Sequence, residues 1–140
     1  MIPAALGHDL LEDTVIKEDT IMGIGMKILQ LILELTNPND DTHTDKYMEK
    51  IASASEEARL IKYADLIENT SSVCYSLHES CIEQPLQWAK DFYIPILTRT
   101  TNILAKTTFE KYPQTAEALR LMLEVYTDLL LSRIELLESV

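Results

Sequence analysis

The chain has 140 residues, 46% of them hydrophobic and 25% charged, with a formal net charge of −11 from 12 basic and 23 acidic side chains. That length accommodates one domain with a real core and is short for two, and the acid excess argues against a nucleic-acid surface, where clustered basic residues are expected. Few aromatics, 3 Gly and 5 Pro, with many Leu, Ile, Ala and Glu, favour an all-α globular chain.

Pro3 suits a first helical turn, and a helix is expected from about Pro3 to Glu12. Lys17 to Met22 reads as a short helix, punctuated by Gly23 and Gly25. From Met26 to Leu35, Ile28, Leu29, Ile32, Leu33 and Leu35 predict a largely buried helix. The apolar run Ile28 to Leu35 is broken by Gln30 and Glu34 and is too short to span a bilayer. With no signal-peptide pattern, the expectation is a cytoplasmic protein without a membrane partner. Thr36 to Asp41 is a turn-rich loop, and His43 is expected to lie exposed near it.

Asp45 to Ala52 reads as a short amphipathic helix. Ser53 and Ser55 compete to cap the next one, whose first turn carries Glu56 and Glu57. That helix is predicted to about Ser72, with weaker continuation through Leu77. A further helix, Leu86 to Lys106, must be kinked or interrupted by Pro95. Thr115 to Glu138 is the last, with a stripe of Leu119, Leu123, Tyr126, Leu130, Arg133 and Leu137, widened by Leu129, Ile134 and Leu136, that is expected to be core. Cys74 and Cys81, seven apart, would lie roughly 10 Å apart on one helix, too far for a disulfide, and no Cys-x-x-Cys pair suggests a zinc site.

The chemistry concentrates in Ala4-Ala5-Leu6-Gly7-His8-Asp9-Leu10-Leu11-Glu12-Asp13-Thr14. On one helix, Glu12 follows His8 by four residues and Asp13 follows Asp9 by four, so these groups share a face. Burying them is costly without a partner, and a divalent cation is the usual one. Asp65 and Asn69 repeat the four-residue spacing further on. A metal held by His8, Asp9 and Asp65 would keep positions open for water and a phosphate oxygen, with Glu12 or Asp13 as general base. Each piece also has a plain reading. His8-Asp9 is a common dipeptide, Asp13-Thr14 can be a cap, and Asp65 with Asn69 can be a solvated helix face.

Together these residues resemble the HD-domain superfamily of metal-dependent phosphohydrolases, in particular the ppGpp hydrolase domain of RelA/SpoT proteins and its small stand-alone relatives. The likeness rests on the stretch just quoted and on Ser55 to Asn69, read S-E-E-A-R-L-I-K-Y-A-D-L-I-E-N. The Gly25 turn, the Glu34-Leu35-Thr36 helix end and Trp88-Ala89-Lys90-Asp91-Phe92-Tyr93 also match the family layout. It covers roughly residues 1–105, leaving 106–140 as a helical extension of one 1–140 domain. The resemblance implies an HD-like helical bundle, shortened at its N-terminus, since the family takes a first ligand histidine from a helix ahead of the doublet. It implies that His8, Asp9 and Asp65 bind metal, usually manganese, and that Glu12 and Asp13 handle the attacking water. Asn69 and Ser72 fall near the nucleotide, and Lys62 is a further candidate contact. The expected function is pyrophosphate hydrolysis on a ppGpp-type phosphorylated nucleotide by a homo-oligomer. The alternative is a catalytically impaired HD-like interaction module.

Overall fold

A computed structural model of the chain describes residues 1–15, 17–23, 25–37, 45–79 and 83–140, with the side chains at 2, 3, 10, 13, 78, 79 and 83–85 left aside. The described residues are helical, with no strand among them: α1 (Ile2–Gly7), α2 (Leu10–Asp13), α3 (Glu18–Met22), α4 (Met26–Leu35), α5 (Asp45–Ser53), α6 (Glu56–Glu79), α7 (Glu83–Trp88), a π-helical turn (Ala89–Tyr93), α8 (Ile94–Ala105) and α9 (Pro113–Glu138). The all-α expectation holds. The loop with His43, and Cys81, lie outside the described residues.

The chain divides into two compact units, Met1–Lys62 and Tyr63–Val140, with the boundary inside α6. In the first, Ala4 of α1, Ile21 of α3, Leu29, Leu31, Ile32 and Leu35 of α4, and Ala58 and Ile61 of α6 form one buried cluster. Leu31 joins it in place of Leu33, which only packs against the edge. Helix α5 is pinned to the C-terminal end of α4 by side chains that serve carbonyls the helix leaves unpaired. The Tyr47 hydroxyl donates to the Leu35 carbonyl at 2.8 Å, and the Lys50 ammonium donates to that of Thr36 at 2.6 Å. A cation there also suits the negative end of the α4 dipole.

Of the two candidate caps, Ser55 is used: its Oγ accepts from the Ala58 N–H at 3.3 Å and donates to Glu34 Oε2 at 2.5 Å. Ser53 instead turns its hydroxyl back to the Glu49 carbonyl at 2.9 Å.

In the second unit, α6 runs on to Glu79, past the expected end. Thr70 of α6 meets Tyr93 at the start of α8, while Tyr63 of α6 lies by Phe109 just beyond the end of α8. Those two helices are therefore antiparallel. Lys90, before α8, bonds Glu138 at the far end of α9, so α9 returns alongside.

Pro95 does what its chemistry requires, though without breaking the helix. Its ring would clash with the carbonyl four residues back. The backbone answers by widening to a π turn, in which the Ile94 N–H reaches the Ala89 carbonyl.

Candidate metal centre

The expected first helix, Pro3 to Glu12, is two pieces. It ends at Gly7, and Asp9 sits at φ −92°, ψ −2° before α2 begins, with the Glu12 N–H reaching back three residues to the Asp9 carbonyl at 3.1 Å. Glycine is a poor helix residue, and Asp competes for nearby backbone groups. The interruption falls on the doublet itself. The four-residue spacing of His8 to Glu12 is consequently not a regular helical face.

The break gives His8 a defined role for each ring nitrogen. Nδ1 stands 2.8 Å from the Ala5 carbonyl. A carbonyl only accepts, so Nδ1 carries the proton. Nε2 stands 3.2 Å from Asp9 Oδ1, presenting a lone pair if the ring is neutral and a second N–H if it is protonated. A lone pair and a carboxylate oxygen repel unless a cation lies between them, either a proton on the ring or a metal. Two ligands at about 2.1 Å from one ion at near-right to tetrahedral angles are separated by roughly 3.0–3.4 Å, so the spacing fits metal ligation. A histidine whose outer N–H is held by a backbone carbonyl is also the usual ligand arrangement. The His8 side chain is 19% exposed and that of Asp9 54%, so the pair opens to solvent on the carboxylate side.

Glu12 is drawn elsewhere: its Oε1 accepts the Asn37 N–H just after α4. Lys50 lies near, and burial lowers its ammonium from the ordinary 10.5 although Glu12 and Glu34 pull it up. Asp13 closes α2, and its side chain is outside the described residues. A cleft of about 590 Å³ in the same unit is lined by Leu11, Lys17, Glu18, Asp19, Thr36 and Lys50, among others.

Asp65 lies on α6, half-buried, and its Oδ1 accepts from Asn69 Nδ2 at 3.0 Å, the shared face that the spacing predicts. Ser72 is exposed and donates to Glu68 Oε1 at 3.1 Å. Lys62 is 8% exposed, and its ammonium stands 5.8 Å from the centre of the Tyr47 ring. That cation–π contact gives it a packing role within the first unit. His78 contributes a backbone to α6, with its side chain outside the described residues.

Sequence reasoning missed the Ala5 carbonyl, which orients His8, and the Lys50–Thr36 bond. The first has no residue signature, since any residue supplies a carbonyl. Lys50 had one: a lysine one turn after a buried tyrosine on an amphipathic helix.

Comparison with family models, with curated protein sequences and with solved structures gives no significant match to this chain.

Proposed function

We propose that this chain is an HD-type metal-dependent phosphohydrolase that removes pyrophosphate from a ppGpp-like nucleotide, with His8, Asp9 and Asp65 holding a divalent metal, manganese by the resemblance. The single observation behind the reading is the His8–Asp9 pair, whose 3.2 Å spacing fits two ligands of one ion as well as an ion pair of the protonated ring. When bound, such a metal supplies a water of lowered pKa and polarises a phosphoryl oxygen. By the resemblance, Glu12 and Asp13 would handle the proton of the attacking water, which requires Glu12 to exchange its bond with the Asn37 N–H for that water. By the resemblance, too, Asn69 and Ser72 on α6 are the positions near the nucleotide's sugar and phosphate, with Lys62 as a further candidate. The setting proposed is cytoplasmic, and no helix of the described residues is long and apolar enough to cross a membrane.

The test is metal content and turnover together. The purified chain, stripped with chelator and reloaded, is expected to retain manganese and release pyrophosphate from ppGpp, and His8→Ala to lose both. Retention of metal without release from any guanine or adenine nucleotide would reject the hydrolase.

A second reading, a helical module that acts by self-association, is favoured by one observation. Helix α9 exposes a row of large apolar side chains.

A further inference from the structure

Helix α9 carries two apolar stripes, and its own fold uses one. Ala116, Leu123, Leu130 and Ile134 are buried. Met122, Val125, Leu129 and Leu136 are 47%, 58%, 52% and 56% exposed, with Leu121 and Leu131 beside them at 48% and 45%. From Met122 the chain steps by three, four, three and four residues through Val125, Leu129 and Ser132 to Leu136. This is the alternation of a coiled-coil seam, with Met122, Leu129 and Leu136 at a positions and Val125 and Ser132 at d. The helix that best fits such a seam is one of the same period.

Charge chooses the occupant. Asp128 sits at the g position before Leu129, and Arg133 at the e position after Ser132. In a parallel, in-register pair of copies, g faces e of the next heptad. Asp128 then meets Arg133 of the partner subunit, twice by symmetry. An antiparallel pair would set Asp128 close to its own counterpart. Met122, Val125, Leu129 and Leu136 are the apolar members of the seam itself, and Leu121 flanks it at a g position. The seam forms one wall of a groove of about 500 Å³ between α6 and α9, with Leu129, Ser132 and Leu136 on the α9 side and Cys74 and Tyr75 on the α6 side, so an incoming helix is bedded against both.

We propose that the Met122–Leu136 face of α9 binds a second copy of this chain as a parallel helix pair. This gives self-association a face and an orientation, and it does not depend on the metal site.

Sedimentation equilibrium of the full chain from micromolar to sub-millimolar concentration is expected to show a mass rising toward twice 15.9 kDa. Leu129→Glu places an unpaired charge in the seam and is expected to weaken the pair roughly a hundredfold, with the far-UV spectrum unchanged. Asp128→Arg and Arg133→Asp should each dissociate it, and their equimolar mixture should restore a heteropair. Arg133 is half-buried, so Ser132→Cys supplies a second reading: mild oxidation should link two copies, beyond any link formed by the native cysteines. A monomer at every concentration, a pair indifferent to Leu129→Glu, or no link through residue 132 would overturn the proposal.

Discussion

The hydroxyls of Thr70 and Tyr93 meet at 2.8 Å in the interior of the second unit, and only one of them can be the donor. Thr70 Oγ1 also lies 2.6 Å from the Leu66 carbonyl, to which it must donate, so the Tyr93 hydroxyl donates to Thr70. Thr70 is fully buried. Tyr93→Phe therefore takes away one hydrogen bond and is expected to cost about 1 kcal/mol. Thr70→Val removes the acceptor and the back-bond together. Denaturant unfolding of both single variants and the double should give a sum that exceeds the double, because the two share one interaction. Strict additivity would mean that the hydroxyls do not act on each other.

The two stripes of α9 make a second prediction. Leu123 and Leu130 are 1% and 0% exposed, and Leu129 beside them is 52% exposed. Leu123→Ala or Leu130→Ala is expected to cost about 2–5 kcal/mol through lost transfer energy and a residual cavity. Leu129→Ala should stay within roughly 0.5 kcal/mol in the monomer, as exposed sites do. Urea unfolding at low concentration, where self-association is absent, measures the difference. Equal losses at all three positions would show the helix rotated from the orientation described.

Lys50 should make stability rise with alkaline pH. Burial sets its folded pKa below the ordinary 10.5, against the pull of Glu12 and Glu34. Between the folded and ordinary values the unfolded chain holds more protons than the native one, so the slope of stability with pH is positive there. Below that window both states are charged and the folded state carries the full burial penalty. The stability of the native chain minus that of Lys50→Met is then expected to increase as pH climbs toward 10.5. Lys90 acts the other way: its bond to Glu138 raises its pKa, so its contribution is lost only as pH rises above 10.5. A flat difference curve for Lys50→Met would mean that its ammonium is as well solvated as in the unfolded chain.

How much of this was legible depended on whether period or backbone geometry carried the information. Helices α4, α5 and α9 follow from apolar spacing, and the Ser55 cap and the Asp65–Asn69 contact follow from side-chain chemistry at fixed intervals. The Pro95 disturbance was legible as a defect but not as a π turn, because the ring says which bond is lost and not where the ladder relaxes. The α9 stripe of Leu119 to Leu137 was legible as core where Leu123, Leu130 and Ile134 are buried, but Leu129 and Leu136, assigned to the same stripe, are exposed. The second stripe was not separated from it, since a helix apolar on most sides has no single face to read. The doublet was legible as residues only. One continuous helix would have set Glu12 over His8, and the break at Gly7 to Asp9 instead ties Glu12 to Asn37.

Metal affinity at the doublet is the prediction on which the functional reading turns. With Nδ1 committed to the Ala5 carbonyl, Nε2 is the ligand nitrogen, and it must be unprotonated to bind. Manganese affinity, by isothermal titration calorimetry, is expected to fall as pH drops through the imidazole range, with a proton released on binding within and below that range and none above it. His8→Ala should weaken binding by roughly a hundredfold or more and abolish that pH dependence, while Asp9→Asn weakens binding but keeps the imidazole's pH dependence. Asp65→Asn separates the ligand set into its parts. A loss comparable to that of Asp9→Asn puts the α6 carboxylate on the same ion, and an unchanged affinity leaves His8 and Asp9 as the ligands this chain supplies. If none of the three substitutions changes affinity, the 3.2 Å approach of His8 to Asp9 is a protonated ion pair, and the hydrolase reading falls with it.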